Sequence, residues 1–262
     1  MSALDPRRLS WPAAAGVLPV APLRPVIERL GSLARTHPRD VALIPGLAAE
    51  GEAEVDAGDP PPALEQVVEE IGGLTVHGGA GLTLLVAERA DVGPYTLLGP
   101  PTSYYPLHEG ADVAVVLTLD EDGAPGAVHG IGEDLALRLA APDLGSYLQR
   151  YADALEATLA ALDADGPEDE RERAERAHAL MDEHLFDALL GTGAAEDAPL
   201  RAMTAPEADA DLPEGTVAVG DLRGAPTGTG LDVIDAEIDG DPLEHQLLWR
   251  EGGLVVCLVP RS

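Results

Sequence analysis

Between residues 112 and 162 the hydrophobic pattern changes once, from short β-type runs to a long helical stripe. That order confines the chain to an α+β architecture. Residues 112–119 read Asp-Val-Ala-Val-Val-Leu-Thr-Leu, and their length and β-branched content predict a buried strand. Asp120-Glu121-Asp122-Gly123 is a turn signal. Residues 126–131 and 135–139 predict two more strands, with Gly132-Glu133-Asp134 between them. Short strands joined by such turns predict an antiparallel meander. Pro142-Asp143 then opens the strongest helix, with Asp143 as N-cap. Leu144, Tyr147, Leu148, Tyr151, Leu155, Leu159 and Leu162 run down one side, a stripe predicted to lie on the sheet.

The flanks are punctuated by proline and glycine. Residues 25–36 predict a helix with Val26, Leu30, Leu33 and Ala34 at helical spacing and Pro38 as its stop. A short acidic helix is predicted around 48–55, and Pro60-Pro61-Pro62 is a firm break. Leu64, Val67, Val68 and Ile71 form one apolar helical face, which Gly72-Gly73 is predicted to end. Residues 74–76, 81–87 and 95–99 predict short strands, and 100–108 a loop. A helix over about 169–190 alternates Glu and Arg in its first half, as on a solvated face. Beyond a polar stretch, residues 216–220, 231–238, 245–250 and 254–259 predict strands. Glu251-Gly252-Gly253 joins the last pair as a hairpin.

The fold class read from this pattern is α+β: a mostly antiparallel central sheet packed by helices, with extra C-terminal strands. The organisation expected is an irregular N-terminal arm (1–20), an α+β domain with a trailing helix (21–193), a linker (194–211) and a small β segment (212–262) docked on the main domain. Four strands of about five residues are marginal alone, which is why docking is expected.

Charge bears on partners. The chain carries 47 acidic residues against 16 basic ones, every basic residue is Arg, and the formal charge is -31. Such a chain repels polyanions, so neither nucleic acid nor an anionic membrane is an expected partner; a protein, and a basic one, suits it better. Solubility alone is the plainer reason for such acidity. Cys257 is the one cysteine, so neither an internal disulfide nor a cysteine-rich metal site can form. It lies in an apolar run and reads as a buried structural thiol, which fits a cytoplasmic location. Arg7-Arg8 precede an apolar stretch, but Pro12, Pro19 and Pro22 interrupt it, so an extended arm is expected there rather than an export signal.

Motifs for chemistry are sparse. There is no Gly-x-Ser-x-Gly, no His-Glu-x-x-His, and without Lys no phosphate-binding Gly-x-x-x-x-Gly-Lys. His178 and His184 are six residues apart, about 120° away from one another around a helix, and read as structural. Residues 224–230, with Thr227 and Thr229 among glycines, match no dinucleotide or P-loop spacing and read as a turn. Residues 120–126 lack the alternating ligands of an EF-hand. No catalytic residue, metal ligand or cofactor is therefore assigned. Tyr104, Tyr105 and His108, with Trp249 in the C-terminal hairpin, are the candidate partner-binding residues, because only 3% of the chain is aromatic. The alternative is that these rings fill the core between helix and sheet.

From about residue 60 to 158 the order of features resembles the SUKH superfamily, the Smi/Knr-like proteins. The early helix with its Gly-Gly break corresponds to Ala63-Leu64-Glu65-Gln66-Val67-Val68-Glu69-Glu70-Ile71-Gly72-Gly73. The turn-linked meander corresponds to residues 112–123 and then Gly126-Ala127-Val128-His129-Gly130-Ile131. The closing strand that runs into a helix corresponds to residues 137–148. The resemblance implies a module that binds protein and has no enzymatic activity. Bacterial members look like immunity proteins that neutralise a cognate toxin, often a basic nuclease, by occlusion. Two other readings are compatible with the sequence: a hydrolase using acidic residues and a divalent ion, and a general regulatory scaffold.

Overall fold

Apolar side chains point alternately to both faces of a central sheet, so two separate cores form, one on each side of it. The computed structural model describes residues 17–48, 60–79, 81–85, 103–109, 113–120, 122–132, 134–186, 197–236 and 238–261. In chain order the elements are α1 (Arg24–Thr36), β1 (Val41–Pro45), α2 (Glu65–Glu70) after a 3-10 turn, β2 (Ile71–Val76), β3 (Tyr104–Glu109), β4 (Val113–Leu119), β5 (Pro125–Gly132) and β6 (Ala136–Ala141). There follow α3 (Leu144–Asp165), α4 (Glu170–Met181), a π-type turn (Asp182–Phe186), the short α5 (Ala205–Ala208), β7 (Ala218–Asp221), β8 (Gly230–Asp232), β9 (His245–Arg250) and β10 (Val255–Pro260).

The central sheet has five antiparallel strands in the order β3-β4-β5-β6-β8. Strand β4 illustrates how it divides the cores. Val115, Leu117 and Leu119 face the helical side, while Ala114 and Val116 face the other. All five are essentially inaccessible to solvent. The helical side is covered by α3, whose Asp143 cap accepts from the Ser146 amide at 2.8 Å, together with α1, α2 and α4. Each large side chain of the α3 stripe contributes about 1.5–3 kcal/mol by leaving water. The opposite face is covered by a second antiparallel sheet in the order β7-β10-β9, whose Leu247, Trp249, Val256 and Leu258 point inward. A two-stranded ribbon, β1-β2, lies beside the helices. The protein is thus α+β, with a central antiparallel sheet and additional C-terminal strands.

Several local expectations change. The helical face of Leu64, Val67, Val68 and Ile71 is buried as expected, but α2 stops at Glu70 and Ile71 is already extended. Gly72 and Gly73 therefore lie inside β2 and do not cap a helix. The physical reason is close approach: Gly73 has φ +139°, and a Cβ there would overlap the Leu82 carbonyl. Residues 104–108, expected in a loop, form β3. The predicted helix over 169–190 divides into α4 and the π-type turn, and its last residues lie outside the described set. In residues 81–87 only Thr83 makes a β-bridge, to Gly73, among the described positions. The helix expected around 48–55 and the strand expected at 95–99 lie outside the described residues beyond Ala48.

The C-terminal part interleaves with the main body. Of the predicted 231–238 strand, among the described positions only Leu231 and Asp232 are extended, as the end of β8, which pairs with β6 in the central sheet. Residues 197–211, polar by composition, lie along the small sheet: Leu200 is buried, Arg201 bridges to Val219, and Ala208 caps a minor cluster with Val219, Val255 and Cys257. The Glu251–Gly253 turn folds against β4 and β5, where His129 Nε2 donates to the Gly253 carbonyl at 2.8 Å.

Candidate functional site

The densest polar constellation is built where α1 ends. Pro38 cannot continue the helix, and His37 closes it by donating to the Leu33 carbonyl. The chain turns so that Asp40, ahead of β1, points inward with a side chain only 4% exposed. Pairing of β1 with β2 brings His77 alongside, its amide donating to the Asp40 carbonyl at 2.8 Å. His77 adopts a left-handed φ of 48°, which is uncommon outside glycine. Arg173 arrives from α4, a helix started by Asp169, whose carboxylate accepts from the Arg171 and Glu172 amides.

Arg173 donates to both oxygens of Asp40, through Nε at 2.5 Å and Nη2 at 2.9 Å, and through Nη1 to the Leu162 carbonyl at 3.0 Å. His77 Nε2 lies 2.9 Å from Asp40 Oδ1 and its Nδ1 lies 3.4 Å from Glu170 Oε1. Glu170 is also held by Arg39. The Arg173 hydrogen bonds hold the Asp40 carboxyl below its usual range, although burial opposes them. The same pairing raises the Arg173 guanidinium. Arg173 is therefore buried, a correction to the solvated face expected for the first half of this helix.

Chemically, this constellation is an interlock. Both His77 nitrogens lie within 3.4 Å of a carboxylate oxygen, Nε2 without an aligned hydrogen bond, and the side chain is 2% exposed, so neither nitrogen is presented to solvent as a general base. His37, Asp40 and Asp163 bring donor atoms within 4.8 Å of one another, a spacing that suits a cation. The donor set nevertheless does not fit a metal ion: the Arg173 guanidinium already occupies both Asp40 oxygens and approaches Asp163 at 3.7 Å.

The four candidate contact residues are all interior. Tyr104 and Trp249 are brought together, ring centroids 6.5 Å apart and edge to face, between the two sheets. Tyr105 lies on the helical side and donates to the Leu84 carbonyl at 2.6 Å. His108 is buried, with Nδ1 2.9 Å from the Gly81 carbonyl, and burial lowers its pKa. Exposure is 1% or less for the three aromatic residues and 7% for His108, so a partner cannot reach them in the folded state. The assignment of these residues as a contact surface is corrected; they are core. The Asp40–His77–Arg173 interlock was not found from sequence, because one Arg in a Glu/Arg run has no local mark that separates it from its solvated neighbours.

Among the described residues no helix is long and apolar enough to cross a membrane. Comparison with family models, curated proteins and solved structures gives no match to this chain.

Proposed function

We propose that this chain is a non-enzymatic protein-binding module of the SUKH type, which acts as a cytoplasmic immunity protein and neutralises a basic cognate toxin by occlusion. The observation that carries this reading is electrostatic. The net charge is -31, and seven of the sixteen arginines that oppose it are paired with the protein's own carboxylates. Arg24 pairs with Glu70, Arg29 with Asp153 and Glu156, Arg39 with Glu170, Arg138 with Asp134, Arg171 with Glu175, Arg173 with Asp40 and Arg223 with Asp221. The surplus of carboxylates over arginines leaves the field outside the molecule strongly negative. It repels nucleic acid and anionic lipid and speeds encounter with a cationic protein. The order of helix, glycine pair, antiparallel meander and covering helix supports the SUKH kinship.

Affinity capture from the source cells at low salt tests the proposal, followed by expression of the captured protein with and without this chain. The expected result is a basic protein, released by raising salt, that arrests growth alone and is harmless when the two are co-expressed. Capture that yields no protein partner, or a partner whose toxicity is unchanged by co-expression, overturns it.

A further inference from the structure

We propose that the free edge of β1 takes an extended segment of the protein partner as an added strand, a segment in which arginine or lysine flanks an apolar centre; this rests on the protein-binding reading above. The register fixes which main-chain groups of β1 are available. The His77 amide donates to the Asp40 carbonyl at 2.8 Å, and by alternation Ala42 and Ile44 also turn their main chain toward β2, opposite Thr75 and Gly73. Val41 and Leu43 therefore point theirs away from β2. The far side of β2 has the same phase: Leu74, the partner of Leu43, donates outward to the Leu82 carbonyl at 2.8 Å. The Val41 amide is taken by the His37 carbonyl at 3.0 Å. The Val41 carbonyl and both main-chain groups of Leu43 remain, and no described residue pairs with them. Pro45 has no N–H and closes the row.

The other strand edges are supplied with partners. Thr83 donates to the Leu107 carbonyl of β3 at 2.9 Å, and Ala198 to the Gly230 carbonyl of β8 at 2.9 Å. Arg201 and Val219 exchange bonds on β7. On β9 the His245 and Trp249 carbonyls accept from Arg261 and Arg250. An exposed edge is ordinarily blunted by charge, yet β1 reads Val-Ala-Leu-Ile-Pro, and Leu43 is 42% exposed. The edge is also held in place, because β2 bonds to residues 82 and 84 while Thr83 bonds to β3, so β1 ends a continuous run of strands. Outward N–H and C=O groups in a row are matched by an extended backbone, and the Leu43 side chain by an apolar cross-strand neighbour. Charge decides which chain supplies that strand. A second copy brings a further charge of -31 to the same edge, whereas a segment flanked by arginine or lysine is attracted to it.

The test is an NMR titration of the isotope-labelled full chain with the capped peptide Arg-Thr-Val-Leu-Val-Thr-Arg. Two analogues run beside it: one N-methylated at alternate residues, which cannot pair, and one with Glu in place of both Arg. Amide shifts and slowed hydrogen exchange are expected at residues 41–44. The N-methylated peptide should bind at least about tenfold more weakly. The parent peptide should lose as much on Leu43→Pro, which removes an outward N–H and no ladder bond, and less than about fivefold on Leu43→Ala, which keeps the main chain. N-methylated peptide that binds as tightly as the parent would overturn strand addition, and that comparison depends on no variant folding. Equal binding of the Glu peptide would overturn the cationic occupant. Sedimentation showing a dimer of the free chain that Leu43→Pro dissociates would replace the partner by a second copy. A captured toxin that binds Leu43→Pro as tightly as the wild type removes this edge and leaves the immunity reading standing. Capture of no protein, with the peptide still bound at β1, removes that reading and not the edge.

Discussion

Arg173 and Asp40, 133 residues apart in sequence, meet through a two-point hydrogen-bonded ion pair with both side chains less than a tenth exposed. The pair ties the segment after α1 to α4, and the Arg173 bond to the Leu162 carbonyl adds the end of α3. A buried ion pair gains little over a well-packed apolar pair of similar volume, but an unmatched half of one is costly.

Arg173→Met should therefore lower the unfolding free energy by about 3–5 kcal/mol, because the Asp40 carboxylate is left buried without its partner. The double variant Asp40→Leu/Arg173→Met should recover a large part of that loss. Urea unfolding followed by far-UV circular dichroism reads both, and a single variant within about 1 kcal/mol of the wild type would contradict the interlock.

Stability should fall as pH drops below about 6.5, the ordinary imidazole value. His129 is completely buried between the sheets, and burial lowers its pKa to about 4. Between these two values the unfolded chain binds a proton that the folded chain does not, so stability rises with pH across this window and the contribution is complete above it. The size is about 1.4 kcal/mol per pH unit at full slope, roughly 3 kcal/mol in all. Burial of His108 acts in the same direction. Asp40 adds a separate loss at lower pH: its folded pKa is depressed, so its stabilisation is present above the unfolded carboxylate value near 4 and disappears as pH falls through the folded one. His129→Leu should flatten the slope between pH 6.5 and 4 whatever it does to the plateau, and an unchanged slope would refute this assignment.

Two adjacent glycines in the β9–β10 turn should respond differently to alanine. Gly252 has φ +63° with open space at its Cβ position, so Gly252→Ala should cost about 1–2 kcal/mol of backbone strain. Gly253 has φ +86°, and a Cβ there would overlap Thr118 Oγ1 and press on the Ala127 amide. Gly253→Ala should cost at least about 2 kcal/mol more, since the turn must lift from the central sheet and the His129 bond is lost. Thermal unfolding of the two variants decides this; equal costs would mean the turn is not docked.

Cys257 should be silent to thiol reagents until the protein unfolds. It is buried on β10, and desolvation raises its thiol to about 11. At pH 8 a chromogenic disulfide should label none of it in native buffer within minutes and all of it in denaturing urea. Rapid native labelling would mean that α5 and the chain around it do not cover that face.

The meander and α3 were readable because their determinants are local. Alternation in residues 113–119, turn residues at 120–123 and a cap at Asp143 each act within a few positions, and the strands and helix formed where the pattern put them. The candidate contact residues were misjudged for the complementary reason. Composition makes Tyr104, Tyr105 and Trp249 conspicuous, but whether a ring is buried depends on which layer lies over it.

The sequence alone thus settled the fold class and the helix that braces the sheet, since periodicity and capping are properties of neighbouring residues. Only the tertiary structure decided that β8 joins β6, that Gly72-Gly73 belong to a strand, and that Arg173 turns inward to Asp40. Each of these depends on an approach between segments far apart in the chain, where the energies of desolvation, steric overlap and charge pairing are fixed by the partner rather than by the residue itself.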